Sequence, residues 1–240
     1  MNSLKKDYKK LYQFQDKFLN WWKTLNLPFY LTGGTALGRY YLNHRYSEDL
    51  DFFVNADLNY TEYMKVIRKK ISSAFRINFD NALFTEDYTR LILIENNEIL
   101  KVEFINDVEY RSGETKKIHF GYIDTPFNII SNKLTAIVGR DEPKDIFDIL
   151  TLALNYNFNW VNIFKEAKLK SIINEIDVEE RLINFPVEWL ENADWIFDPV
   201  NTDSFKKSLK QLANDFLLGR ENSLCRTESI HIEHASLIAP

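Results

Sequence analysis

Residues 31–53, LTGGTALGRYYLNHRYSEDLDFF, constrain this chain more than any other stretch. Asp49 and Asp51 stand one residue apart in a segment, 49–54, that alternates acid and apolar side chains. On a strand both carboxylates therefore project from one face while Leu50 turns into the core beneath, with Phe52 and Phe53 as anchors. Like charges held this close repel unless a cation lies between them, and hard oxygen donors suit Mg²⁺ (or Mn²⁺) bridging to substrate phosphates. Upstream, an apolar strand at 29–31 runs into Thr32-Gly33-Gly34-Thr35 and then a helical segment at 36–42. A glycine turn at a helix N-terminus lets backbone N–H groups approach an anion closely, and the Thr35 hydroxyl adds a donor. Either feature alone arises by chance in many proteins. Together, a phosphate cradle and a metal-binding acid pair are complementary tools.

The rest of the chain supplies a frame for them. Apolar periodicity predicts an amphipathic helix over 4–25, ending before Pro28, and another over 63–75. Strands are expected at 75–79, 89–95, 99–105 and 118–123, which fits a mixed sheet. Thr125-Pro126 reads as a cap followed by proline in the first helical turn. From there helices are predicted at 126–138, 143–154, 162–176 and 204–218, the last stopped by Gly219. The expected architecture is α+β, with an α/β domain over 1–125, a helical domain over 126–222 and a flexible tail over 223–240. His231 and His234 in that tail are read as scattered histidines of a frayed end rather than as metal ligands.

Composition bounds the partners. A hydrophobic content of 45% is enough for a real core, and no Gly-, Ser- or Pro-rich linker interrupts it. The net charge of −5 offers no global attraction to a polyanion, so any grip on RNA must be local. Lys65, Arg68, Lys69 and Lys70 form one basic cluster and Lys206, Lys207 and Lys210 another, although solvated helix faces look the same. The lysine-rich start has no apolar run behind it, no segment reaches the roughly 20 apolar residues that span a bilayer, and Cys225 is alone. A cytoplasmic protein is expected.

Gly33-Gly34-Thr35 and HRYSEDLDFF at 44–53 resemble the opening glycine pair and the His-Arg-x-Ser-x-Asp-Leu-Asp-Phe signature of the AbiEii/AbiGii toxin group, within the DNA polymerase β-like nucleotidyltransferase superfamily. The resemblance implies a metal-dependent enzyme that moves a nucleoside monophosphate from an NTP to an acceptor hydroxyl and releases pyrophosphate. Asp49 and Asp51 would then be metal ligands, and Gly33, Gly34, Thr35, Arg45 and Ser47 would lie at the nucleotide. Arg45 and Ser47 would brace carboxylates or phosphates, as a surface arginine and a turn serine would equally be placed. A third carboxylate comes from a neighbouring strand in such enzymes. Residues 99–105 alternate Leu100, Val102 and Phe104 with Lys101 and Glu103, making Glu103 the candidate, with Asp107 just past the alternation.

A looser match, SNKLTAIVGRDEPKDIFDI, implies a role for Lys133 in neutralising the triphosphate, and for Asp145 in orienting either the attacking hydroxyl or the lysine. Asp145 after Pro143 is also where a helix dipole favours an acid, and Asp148 with Lys144 makes an ordinary surface pair. The resemblance further implies a type IV toxin that adds nucleotides to RNA, in particular the 3′ end of tRNA, with a cognate antitoxin. The alternatives are a small-molecule or protein hydroxyl as acceptor, or a non-catalytic nucleotide- or partner-binding module. The intact Asp-x-Asp pair speaks against the last.

Overall fold

Alternation along three long strands decides which face of the sheet is covered. In the computed structural model, which describes residues 7–225 and 230–238, these strands are β2 (Asp49–Asn55), β5 (Tyr88–Glu95) and β6 (Glu98–Asp107). Leu50, Phe52 and Val54 are buried on β2, as are Leu100, Val102 and Phe104 on β6 and Thr89, Leu91 and Leu93 on β5. β2 pairs parallel to β6 and β5 antiparallel to β6, in a register that keeps these residues on one face. Helix α1 (Tyr8–Trp22) covers that face. Trp22 packs 4.6 Å from the Phe52 ring and 5.4 Å from Phe104, and Phe18 lies 6.0 Å from Phe52. Helix α3 (Tyr60–Ile71) adds Ile67 and Ile71 to the core, and the Tyr60 hydroxyl donates to the Phe104 carbonyl at 2.9 Å.

Among the described residues the sheet has eight strands. β1 (Tyr30–Thr32) lies antiparallel to β2 and parallel to β8 (Gly121–Ile123), which pairs with β7 (Lys116–Ile118); β3 (Arg76–Ile77) and β4 (Leu83–Phe84) both pair with β5. The mixed sheet with flanking helices is the expected α+β architecture. Helix α2 (Gly33–Tyr40) starts directly after β1. Gly33-Gly34-Thr35 is therefore not a separate turn but the first turn of the helix itself, because Gly33 at φ +66° lets the chain swing from strand into helix without a linker. The strand expected at 118–123 is likewise a hairpin, with Ile118 paired to Gly121, whose φ of +142° is accessible to glycine.

Contacts divide the chain into two units. One comprises Met1–Ala36, Tyr46–Glu109 and Glu114–Asp124; the other comprises Leu37–Arg45, Tyr110–Gly113 and Thr125–Pro240. Two short segments before residue 125 thus group with the helices. The helical unit contains α4 (Pro126–Gly139), α5 (Pro143–Asn155), α6 (Trp160–Lys168), α7 (Glu175–Ile183) and α8 (Thr202–Leu217). Thr125 caps α4 by accepting from the Asn128 amide, with Pro126 in the first turn. The helix expected over 162–176 breaks in two. Asn174 turns its side chain to the Asp177 amide and starts α7 afresh, while Lys170 leaves the helix line to donate to Asn128, Ser131 and Asn132 on α4. No helix among the described residues is long and apolar enough to cross a membrane.

The segment expected to be a loose tail is held in place where it is described. Ile232 and Ala235 are buried, the Ile232 amide donates to the Asn157 carbonyl at 2.9 Å, and the Ile238 amide donates to the Tyr40 carbonyl at 2.8 Å. Two apolar side chains in a non-periodic sequence anchor it, a pattern that helix or strand spacing does not reveal. Residues 226–229 and 239–240 of that segment lie outside the described residues.

Candidate active site

The uncovered face of β2, β5 and β6 carries the acids. Asp51 stands opposite Glu103, and Asp49 opposite Lys101, across the parallel pair. All four side chains share the half-buried face, because their parity along the strands is opposite to that of the buried apolar residues. Gly33 closes one side of the group. A Cβ on Gly33 would sit 2.7 Å from Asp51 Oδ2, so a residue with a side chain there collides with the carboxylate as well as facing an unfavourable φ. Gly34 follows it, buried in the helix start. The Thr35 hydroxyl, expected to reach a phosphate, instead donates to the Asp49 carbonyl. This bond ties the start of α2 to the strand bearing the acids and commits the one donor that the hydroxyl has.

The charges on this face balance one another through Lys101. Its ammonium lies 2.9 Å from Asp49 Oδ2 and 2.8 Å from Glu103 Oε2. Burial raises the pKa of Asp49, against the pull of Lys101. Burial also pushes Glu103 upward, but the hydrogen bonds from Lys101 and Tyr88 outweigh it and hold the carboxyl below its usual range. Burial and the adjacent Glu103 carboxylate push the Tyr88 phenol up to about 12, so it remains a donor to Glu103. Lys101 is fixed in its charged form, since the two carboxylates overcome the effect of its burial. Arg90 faces Glu103 from β5, with its Nε buried and without a hydrogen-bond partner.

As a donor set, Asp49, Asp51 and Glu103 fit a hard divalent cation: three carboxylates on one face of two adjoining strands, with no soft ligand among them. As they stand, no three His, Cys, Asp or Glu side chains among the described residues converge on a single point. Lys101 is placed between two of the three acids instead.

The remaining candidates form a second cluster, inside the helical unit. Lys133 on α4 donates to Asp145 at 2.5 Å and lies 2.8 Å from Asp148 Oδ2, both on α5. Arg45 donates to Asp148 through Nε at 2.6 Å and Nη2 at 2.7 Å, and His44 Nε2 is 2.8 Å from the same carboxylate. Arg140 closes on Asp145 at 2.7 Å. Arg45 is 2% exposed, and the guanidinium expected to brace carboxylates or phosphates braces the Asp148 carboxylate. Asp148 is not a surface partner of Lys144 but fully buried. Burial would raise its pKa, yet Arg45 and Lys133 drive it well below the usual carboxylate range. Asp145 is lowered too, Lys133 and Arg140 overcoming its burial. Lys133 is raised because Asp148 and Asp145 outweigh desolvation, whereas burial lowers His44 and leaves it neutral at pH 7. Of the two roles open to Asp145, its geometry matches holding the lysine. Ser47 belongs to the sheet unit, where its carbonyl accepts from Gln15 at 3.0 Å and its amide donates to the Tyr12 hydroxyl at 3.2 Å, fastening the approach to β2 onto α1.

Sequence reading passed over Lys101, Tyr88 and Arg90. Lys101 had a visible signal, the same parity as Glu103. Tyr88 and Arg90 reach the acids only through the β5–β6 register, which no local pattern specifies.

Comparison with known proteins gives the fold and the family. No protein of curated function matches the chain. Its fold is similar to the crystal structure of JHP933 from Helicobacter pylori, at TM-score 0.54 and 21% identity over 90% of this chain and 94% of that one. It is also similar to MenT4, a nucleotidyltransferase toxin from Mycobacterium tuberculosis, at TM-score 0.57 and 16% identity over 88% and 84% of the two chains. The family described as nucleotidyl transferase AbiEii toxin, type IV toxin–antitoxin system, matches residues 20–220. With the match running through both the acidic sheet face and the buried ion cluster, this chain belongs to the AbiEii family of nucleotidyltransferase toxins.

Proposed function

We propose that this nucleotidyltransferase moves a nucleoside monophosphate from an NTP to a hydroxyl of RNA, in particular the 3′ end of tRNA, in a reaction that depends on Mg²⁺ or Mn²⁺. The observation that carries the metal-dependent reading is the meeting of Asp49, Asp51 and Glu103 on one half-buried face beside Gly33. Bound divalent cations would lower the pKa of the attacking hydroxyl and neutralise the triphosphate as pyrophosphate departs. Asp49 and Asp51 are the shared ligands in this reading and Glu103 the third. Gly33 and Gly34 open α2, a position where first-turn N–H groups have no partner within the helix and the positive dipole end suits phosphate oxygens. Lys133 keeps the phosphate-neutralising role that the family resemblance implies, which requires its protonated ammonium to give up Asp145 or Asp148 for the phosphate.

The RNA acceptor rests on membership of a toxin family and on local basic groups such as Lys206, Lys207 and Lys210 on α8. A cognate antitoxin that relieves toxicity on co-expression belongs to the same reading. The net charge of −5 favours a second acceptor class, a small hydroxylated molecule or a protein hydroxyl. One experiment separates them. The purified protein is incubated with each α-labelled NTP, Mg²⁺ or Mn²⁺ and total tRNA or cell extract, alongside Asp51→Asn. Label in the tRNA band with the native protein alone is expected. Label confined to a small molecule or a protein moves the assignment to the second class, and bound nucleotide with no transfer to any acceptor overturns the enzymatic reading in favour of a binding module.

A further inference from the structure

Lys101 was not among the residues assigned to the site, yet its ammonium is the group that stands between the acids. It contacts Asp49 Oδ2 at 2.9 Å and Glu103 Oε2 at 2.8 Å, while its stem rises from β6 in register with Asp49. A divalent cation held by these carboxylates needs oxygens about 2.0–2.1 Å away for Mg²⁺. An ammonium at hydrogen-bond distance from two of the same oxygens therefore competes with the ion for lone pairs and repels it by charge. The two cations cannot both keep these contacts.

We propose that Lys101 is an internal counter-ion of the metal site, neutralising Asp49 and Glu103 when no divalent cation is bound and withdrawing its ammonium when one enters. The inference rests on the metal-dependent reading above and specifies how the site is held together before loading. Two features support it. The side chain is about one-third exposed. A lysine stem is unbranched and flexible, so the ammonium can swing outward while its methylenes stay on the sheet. The buried lysine of the helical unit offers a contrast. Lys133 is closed in by Asp145 and Asp148, and has no such exit.

The test measures metal binding directly. Mn²⁺ binding to the full chain is titrated by electron paramagnetic resonance, without nucleotide, for the native protein, Lys101→Met and Asp51→Asn. Removing the competing ion pair is expected to tighten Mn²⁺ binding in Lys101→Met by about fivefold, the ratio that an ion pair of this exposure supports. An unchanged or weaker affinity overturns the counter-ion role. A second measurement avoids the variant's folding altogether. Acylation of Lys101 by an amine-reactive ester, followed by mass spectrometry of the native protein, is expected to accelerate several-fold when Mg²⁺ is added. A constant rate again overturns the proposal. If the native protein binds Mn²⁺ and Asp51→Asn does not, a null result for Lys101 leaves the metal-dependent reading standing. If none of the three proteins binds Mn²⁺, both proposals fall.

Discussion

Two regions of this protein are built from the same materials, carboxylates and a lysine, and are finished differently. On the sheet, Asp49, Asp51, Glu103 and Lys101 lie on a half-buried face. In the helical unit, Lys133, Asp145, Asp148, Arg45 and His44 form a nearly closed cluster in which Asp148 alone meets three nitrogen-bearing side chains through hydrogen bonds or an ion pair. The first leaves oxygens near solvent that a cation or phosphate-bearing ligand can reach. The second has matched its buried charges internally, as desolvated ions require.

The sharpest way to break the contrast is to remove one acid from each region. Asp51→Asn is expected to lower nucleotidyl transfer about a thousandfold while thermal unfolding moves little, because a half-exposed carboxylate contributes more to chemistry than to folding. A variant that keeps transfer within a few fold of native would remove the sheet face from the reaction. Asp148→Ala should do the reverse. It strands Arg45 and Lys133 without their shared carboxylate, and urea denaturation should register a loss of about 3–5 kcal/mol. A loss below about 1 kcal/mol would mean that water or a neighbour already satisfies those cations and that the cluster is not closed.

Gly33→Ala probes the edge of the site rather than its ligands. The added methyl meets Asp51 Oδ2 at 2.7 Å and the residue is held at φ +66°. Transfer should fall about tenfold to a hundredfold, through displacement of the carboxylate and about 1 kcal/mol of backbone strain. Activity equal to native, measured with saturating NTP, would show that Asp51 has room to move without consequence.

The smallest effect expected is on stability against pH. In the helical cluster His44, Asp145 and Asp148 all have pKa values lowered from 6.5, 3.8 and 3.8. On acidification the unfolded chain takes up each proton before the folded one does, so stability contributed above those values is lost as pH falls through the lower folded ones. Unfolding midpoints should thus decline from about pH 6.5 downward, more steeply below about pH 4. His44→Gln should flatten the upper part of that decline. Midpoints constant between pH 7 and pH 5 would show that His44 is not held neutral by its burial.

Much of this was legible before the fold was known, and the reason lies in the range of the interactions. The one-residue spacing of Asp49 and Asp51 with Leu50 and Phe52 between and after them specifies a strand with acids on one face, since side-chain direction follows the local backbone. The parity of Glu103 with its apolar neighbours worked in the same way, and Thr125-Pro126 marked a helix start through capping that involves only adjacent residues. What failed locally was equally instructive. Asn174 restarts a helix within a segment whose periodicity alone predicted continuity, and Ile232 and Ala235 anchor a segment without any period.

Sequence by itself therefore determined the long strands, most of the helices, the α+β order and the acid pair, because backbone geometry and solvent partition act over a few residues. Only the tertiary structure decided which charges meet. Lys101 is two residues from Glu103 but touches Asp49, 52 positions away, solely through the β2–β6 register, and Arg45 reaches Asp148 across 103 positions. Register and burial turn a list of acids and bases into one open site and one closed cluster, and both depend on packing that no local pattern encodes.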